Sequence, residues 1–449
     1  MNIISEANEG VLTILKRFLT TENCTRWSHY CIQTPVEDGI LIFNMLTREL
    51  ISLSQEEFTR FDQIDYLVKH FFVLPETAKE KEYADFVKWV LSAQHKKPKE
   101  ITGYTIFPTT DCNARCFYCF ELGRSRVPMS CEIAEKVVKY IKDHCGGKAV
   151  KISWFGGEPL FNMPAIETIC KGLRMAGISF QSNMTSNGYL FDDEVVQKAV
   201  NEWNLKKVQL TLDGTEKIYN KIKAYIYNGT NPYKIVLDNI DRLLKADIFV
   251  TIRLNMDLYN ADDLLLLSQE LAQRFGGRKG LRVYAHHLFE GGKPNAELHS
   301  DEEWEKRDAM MCRLDECLTG SGLALQTGIL KNIKLNHCKA DSGKAVTILP
   351  DGNIGLCEHF TESEFIGHID QEGFDATVVA SWKETIPEIP ECETCFYFLD
   401  CVKLKKCSSS SVCYHHFRQE KLRNIQRGMT CTYEHWKMET PSDVDDDDC

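Results

Sequence analysis

Between residues 98 and 300 the chain alternates two kinds of hydrophobic pattern, and that alternation restricts its fold more than any other feature. Short runs rich in Val, Ile and aromatics fall near 104–108, 150–154, 178–183, 208–212, 249–254 and 281–287. Amphipathic stretches with helical spacing separate them, near 130–144, 164–176, 192–202, 233–245 and 262–275. Strand-length apolar runs separated by helices predict a parallel sheet built from right-handed βα units. Six such units predict an α/β fold of the partial-barrel kind, with its active site at the carboxyl ends of the strands.

The end of the first strand carries the densest chemistry. In YTIFPTTDCNARCFYCFE, residues 104–121, an apolar run ending at Thr109 and Thr110 leads into Cys112, Cys116 and Cys119 in a C-x3-C-x2-C array. Three thiolates on one short loop can hold three irons of a [4Fe–4S] cube and leave the fourth without a protein ligand. A structural zinc site wants four ligands in two CxxC-like pairs, which this array does not supply.

With aromatic Tyr118 just before its last cysteine, the array resembles the signature of the radical S-adenosylmethionine (radical SAM) superfamily. The resemblance implies a (β/α)6 partial TIM barrel. It also implies a cluster whose open iron chelates SAM, and reductive cleavage of SAM to a 5′-deoxyadenosyl radical that abstracts hydrogen. Later strand ends carry matching marks. Gly156, Gly157 and Glu158 of WFGGEPL resemble the family's GGE motif, which contacts the SAM amino group, and Ser186 and Asn187 of MTSNGYL resemble its polar contacts to SAM. Asp213 of LTLDG, and Arg253 and Asn255 of TIRLNM, stand where related enzymes bind SAM or substrate. By this resemblance Asp213 is a candidate catalytic residue and the others, with Tyr118, bind the cofactor. From the residues alone, Asp213-Gly214 is equally a turn and Arg253 an ion-pair partner.

The ends of the chain differ from this core. Residues 1–97 contain a hairpin pattern at Gly39–Leu53, with a turn at Asn44 to Thr47, and two helical stretches at 55–72 and 76–95. Ser54 is the expected N-cap of the first, with Glu56 and Glu57 in its opening turn. This region resembles the winged-helix-like element with which many radical SAM peptide maturases take up a leader peptide as an added strand. A plain structural cap on the barrel is the alternative.

After residue 300 the alternation stops, and 11 of the chain's 19 cysteines follow. Disulfides are rare inside cells, so this density argues for metal or cluster ligation. CKADSGKAVTILPDGNIGLC reads as a hairpin flanked by Cys338 and Cys357, and Cys392, Cys395, Cys401, Cys407, Cys413 and Cys431 come next. The set resembles the SPASM extension, which holds two auxiliary [4Fe–4S] clusters, except that the fourth cysteine of its C-x2-C-x5-C-x3-C run is displaced. Either Cys407 or Cys413 takes that place, and the seventeen residues between Cys413 and Cys431 favour Cys413. By resemblance Cys392, Cys395, Cys401 and Cys431 hold one auxiliary cluster. Cys338, Cys357 and Cys413 hold the other, with Cys317, Cys312 or a substrate thiolate as its fourth ligand. A zinc ribbon is the alternative here. Glu358 and His359 follow Cys357, where related maturases place a carboxylate base, and Glu358 is the second catalytic candidate. Domains are therefore expected at 1–97, 98–300 and 301–435, with an acidic tail at 436–449.

The whole resembles a peptide maturase that installs cross-links, Cys thioethers in the first instance, in a ribosomally made precursor peptide with a leader. Its cofactors would be SAM and three [4Fe–4S] clusters, and its reductant a flavodoxin or ferredoxin. Alternatives are carbon–carbon or ether cross-linking, anaerobic sulfatase maturation, and a non-catalytic iron–sulfur electron-transfer protein. A formal net charge of -12 argues against a nucleic-acid partner. Without a signal peptide or an apolar stretch of about 18 residues, the chain is expected to be cytoplasmic and to have no membrane partner.

Overall fold

The computed structural model describes residues 1–94, 100–119, 121–123, 125–288, 299–324, 328–329, 331–333, 338–358, 364–407, 413 and 415–439. The expectations for His359 and for tail residues 440–449 lie outside these.

The first region comprises β1 (Asn2–Ser5), α1 (Glu9–Leu15), β2 (Arg26–Trp27), β3 (Cys31–Val36), β4 (Gly39–Asn44), β5 (Glu49–Leu53), α2 (Gln55–Thr59), α3 (Asp65–Lys69), β6 (Val73–Leu74) and α4 (Glu80–Gln94). The expected hairpin is β4–β5, paired from Ile40↔Leu53 to Asn44↔Glu49. It is the middle of a four-stranded sheet in the order β1-β5-β4-β3, whose outer strands the hydrophobic pattern did not reveal. Ser54 caps α2 through a capping box with Glu57, as the sequence indicates. The helix foreseen over 55–72 is instead broken: Arg60 leaves helical geometry and Ile64 is extended. The break lets Phe58, Phe61, Ile64 and Leu67 all turn onto one small core with Ile42, Ile51 and Phe72.

The barrel follows as β7 (Gly103–Thr109), α5 (Cys131–His144), β8 (Val150–Gly156), α6 (Met163–Met175), β9 (Phe180–Thr185), α7 (Asp193–Asn201), β10 (Leu205–Leu212), α8 (Glu216–Lys223), α9 (Pro232–Lys245), β11 (Phe249–Met256), α10 (Ala261–Phe275) and β12 (Leu281–His287). Neighbouring strands from β7 to β12 pair in parallel and in sequence order. Helix α8 is an addition to the expected pattern. The core is continuous from Tyr104 and Ile106 through Trp154, Leu210 and Ile252 to Val283, all buried. Burying such side chains contributes about 1.5–3 kcal/mol each, which is what holds the six strands in one curved sheet.

The C-terminal region contains α11 (Asp301–Gly320), α12 (Lys339–Ser342), β13 (Ala345–Ile348), β14 (Asn353–Gly355), β15 (Gly367–His368), α13 (Ala376–Ser381) and α14 (His415–Glu439). The hairpin between Cys338 and Cys357 is β13–β14. Its first strand pairs in parallel with β7, Ala345 opposite Gly103 and Ile348 opposite Ile106. The sheet therefore has nine strands, in the order β12-β11-β10-β9-β8-β7-β13-β14-β15, and crosses the division expected at residue 300. Among the described residues no helix is long and apolar enough to cross a membrane.

Candidate active site

The cysteine loop leaves β7 at Thr109, and the Gly156–Glu158 turn docks directly beneath it. Gly157 N donates to Thr109 O at 3.1 Å and Glu158 N to Asp111 O at 2.8 Å. A Cβ on Gly156 would meet Thr109 O at 2.3 Å, and one on Gly157 would meet Asp111 O at 2.1 Å. Both positions need glycine for this close backbone approach, and Gly156 also sits at φ +117°.

Glu158 then ties the next loop into the assembly. Its side chain is fully buried and accepts from Ser186 Oγ at 2.9 Å, Asn187 N at 2.8 Å and Leu160 N at 3.2 Å. Burial pushes its carboxyl up to about 7, and these three donors pull the other way. Asn187 reaches back, its Nδ2 donating to Asn113 Oδ1 at 2.6 Å and lying 3.7 Å from Cys112 Sγ. The motifs after β7, β8 and β9 are thus one hydrogen-bonded unit.

A second network supports the far side of the loop. Tyr118 Oη donates to Asp213 Oδ2 at 2.6 Å, Lys223 Nζ lies 2.8 Å from the same oxygen, and Asn255 Nδ2 donates to Asp213 Oδ1 at 2.9 Å. Lys223 also donates to Tyr118 Oη at 2.9 Å and Thr211 Oγ1 at 2.7 Å. Asp213 is 0% and Lys223 2% exposed, so this ion pair lies in the interior. Backbone bonds complete the clasp: Arg115 N donates to Lys223 O at 2.8 Å, and Ile226 N to Asn113 O at 3.0 Å. Sequence reasoning reached Tyr118, Asp213 and Asn255. It missed Lys223, for which the amphipathic pattern of 216–223 was the available signal, and also Thr211 and Asn113, which lie inside the motifs it quoted. Arg253, on β11, stands opposite Thr211, its Nη2 lying 3.0 Å from His286 Nδ1 on β12.

The donor set suits an iron–sulfur cluster. Burial pushes the Cys112 thiol up to about 12, and Glu158, Cys116 and Cys119 all lie close enough to push it the same way. One loop thus carries three soft sulfurs, a donor type that selects iron–sulfur over hard cations.

The C-terminal cysteines fall into separate places. Cys338 and Cys357 pack on the barrel core at the two flanks of the β13–β14 hairpin. Glu358 forms an ion pair with Lys339, whose Nζ also donates to Thr105 Oγ1 on β7 at 2.8 Å. Cys317 lies exposed on α11. Cys392, Cys395 and Cys401 occupy two short 3₁₀ turns, Pro390–Thr394 and Phe398–Asp400, and the residues just after them. Burial raises the Cys395 thiol, with Cys413 and Cys392 among the neighbours that add to this. Burial likewise pushes Cys401 up to about 11, and Cys395 and Cys413 act in the same direction. The charge of Cys413 thus bears on both Cys395 and Cys401. Cys431 is buried within α14, where burial raises its thiol and Glu434 adds to this. Among the described residues no three His, Cys, Asp or Glu side chains converge as ligands of a single metal ion.

Comparison with known proteins agrees with this geometry. Residues 106–268 match the Radical SAM superfamily family model. The chain is 33% identical over 131 residues to a probable GTP 3′,8-cyclase of Methanococcus maripaludis, covering 28% of this chain and 41% of that one. It is 27% identical over 278 residues to the GTP 3′,8-cyclase of Clostridium perfringens, covering 59% and 83%. The match thus spans less than half the length of the first of these relatives. Among solved structures, anSMEcpe with bound AdoMet overlays with a TM-score of 0.54 at 17% identity, over 74% of this chain and 98% of that one. Streptococcus suis SuiB bound to S-adenosylmethionine overlays at 0.51 and 12% identity, over 85% and 95%. At such identities the two overlays speak for the fold. Together with the family match and the three cysteines at the tip of β7, they make the segment 106–268 a radical SAM domain.

Proposed function

We propose that the chain is a radical SAM peptide maturase that cross-links a ribosomally made precursor peptide, forming thioethers from Cys sulfur to carbon. The observation that carries the radical reaction is the locking of the Cys112, Gly156–Glu158 and Ser186–Asn187 loops into one unit through Glu158. Cys112, Cys116 and Cys119 would hold the cluster, which with SAM supplies a 5′-deoxyadenosyl radical. Gly156 and Gly157 bring the backbone of their turn against the loop. Asp213 and Lys223 hold the Tyr118 ring in place, a positioning role rather than that of a base, since both Asp213 oxygens are engaged. Glu358, already paired with Lys339, is the carboxylate available for a proton near the hairpin cysteines.

Two observations support a peptide substrate. The N-terminal four-stranded sheet has the form of a strand-addition module. The overlaid solved structures include SuiB bound to the precursor peptide SuiA and anSMEcpe bound to a Cp18Cys peptide. The edge of β5 is taken by the chain's own β1, and the outer side of β3 meets α14, where Gln426 Nε2 donates to Gln33 O at 3.0 Å. An incoming strand would therefore extend β1 or displace it. The sequence similarity to GTP 3′,8-cyclases favours a second reading, nucleotide cyclisation.

One experiment separates the two. Anaerobically reconstituted protein is incubated with SAM, a reductant and either GTP or a cysteine-containing precursor peptide. The expected result is 5′-deoxyadenosine with the peptide lighter by two hydrogens per cross-link, and loss of both in Cys112→Ala/Cys116→Ala/Cys119→Ala. Consumption of GTP with an inert peptide would overturn the maturase reading in favour of the cyclase.

A further inference from the structure

The cysteine turn at 392–401 is anchored by residues from the start of the chain. Arg48, in the turn between β4 and β5, places Nη2 2.6 Å from Asp400 Oδ1, and both side chains are less than a tenth exposed. Lys88, on α4, donates to Phe398 O at 3.2 Å and Cys401 O at 2.9 Å, and lies 4.0 Å over the Phe398 ring. Phe398 and Leu399 belong to a core whose other members include Leu41, Phe43, Leu50 and Tyr83, with Cys392 and Cys395 packed against it. This core joins the ends of the chain, and the cysteines line one side of it.

We infer that Arg48 and Lys88 complete the surroundings of a metal centre to which Cys392, Cys395 and Cys401 contribute. Arg48 fixes the turn that presents Cys401, and Lys88 places a positive charge beside it. The inference rests on the iron–sulfur reading of the C-terminal region and adds to it a dependence on residues before 95. Residues around a cluster set its potential through charge and hydrogen bonding. An ammonium beside Cys401 favours the more negative, reduced form, so its removal lowers the reduction potential. Arg48 acts differently: without it Asp400 is left as a buried, unpaired carboxylate at the foot of the cysteine turn.

The test uses the full chain, reconstituted anaerobically, as wild type, Lys88→Met, Lys88→Arg and Arg48→Met. Iron is counted and the clusters are titrated reductively by electron paramagnetic resonance. Lys88→Met is expected to keep its iron while one cluster titrates at lower potential, and Lys88→Arg to restore the wild-type value. Arg48→Met is expected to lose about four of about twelve irons while still cleaving SAM. An unmoved potential in Lys88→Met would overturn the inference, as would full iron retention in Arg48→Met. Should Arg48→Met fail to fold, the two Lys88 variants decide alone. A wild type holding only about four irons would instead overturn the iron–sulfur reading of the C-terminal region, and the inference with it.

Discussion

The loop bearing Cys112, Cys116 and Cys119 is held by residues of its own barrel, whereas the turn bearing Cys392, Cys395 and Cys401 is held by Arg48 and Lys88 from the far end of the chain. In the first, the supports are strand ends, the turns after them and the close of α8, so the fold that makes the sheet also makes the site. In the second, two short 3₁₀ turns have no ladder of their own and depend on a core shared between the termini. One site should therefore be as stable as the barrel, and the other only as stable as the contact between N- and C-terminal regions.

The largest effect is expected from breaking the clasp under the first loop. Lys223→Met leaves Asp213 charged and unpaired in the interior, and losing one partner of a buried pair costs about 3–5 kcal/mol. Denaturant unfolding should show that loss, and Lys223→Met/Asp213→Leu should recover a large part of it. If the double variant is as unstable as the single one, the pair is not the anchor of Tyr118.

Glu158 gives a smaller effect with a definite pH signature. Its carboxyl stays protonated to about 7 in the native state, against an ordinary value of 4.5, so the folded chain binds the proton more tightly. Its contribution is complete below pH 4.5 and is lost as pH rises to about 7, a difference of about 3 kcal/mol. Glu158→Gln keeps the shape and removes the titration. Its stability measured from pH 5 to 8 should fall less steeply than that of wild type; parallel curves would mean that Glu158 does not titrate there.

Gly157→Ala tests the approach of the two loops. Its Cβ would meet Asp111 O at 2.1 Å, so backbone must move, at about 1–3 kcal/mol. Iron retention at Cys112, Cys116 and Cys119 should drop more than unfolding stability does. Equal iron in variant and wild type would show that the turn does not shape the cysteine loop.

Sequence reading succeeded where one period governs a whole element and failed where two distant segments meet. All six barrel strands and five of the helices lie close to the positions set by their apolar spacing, because each buries a repeating face on the same core. The parallel pairing of β13 with β7 has no local signal, since nothing in Ala345–Ile348 names its neighbour. No motif surrounds Lys223 or Lys88, and only the fold sets the first against Asp213 and the second against the carbonyls of Phe398 and Cys401. The break at Arg60 was hidden for the opposite reason: Phe58, Phe61, Ile64 and Leu67 keep helical spacing across it. Cysteine spacing is easy to read after β7, where one loop carries Cys112, Cys116 and Cys119. The C-terminal set mixes hairpin, turn and helix, so spacing alone does not decide which of Cys413 and Cys431 stands with Cys392, Cys395 and Cys401.

That last difference can be measured with the gentlest substitutions. Resemblance set Cys431 with Cys392, Cys395 and Cys401, and Cys413 with Cys338 and Cys357, yet the charge of Cys413 bears on Cys395 and Cys401, while Cys431 lies inside α14 between Met429 and Tyr433 in sequence, both buried. Cys413→Ser should release about four irons or shift the spectrum of one cluster. Cys431→Ser exchanges one buried thiol for a hydroxyl within a helix and should cost about 1 kcal/mol with no loss of iron. If instead Cys431→Ser loses the iron and Cys413→Ser keeps it, α14, whose Met429 and Tyr433 share a core with Phe398 and Leu399 of the cysteine turn, supplies the remaining ligand. The C-terminal site would then differ from the barrel site in a further respect: its sulfurs would come from a turn and a helix far apart in sequence rather than from one loop.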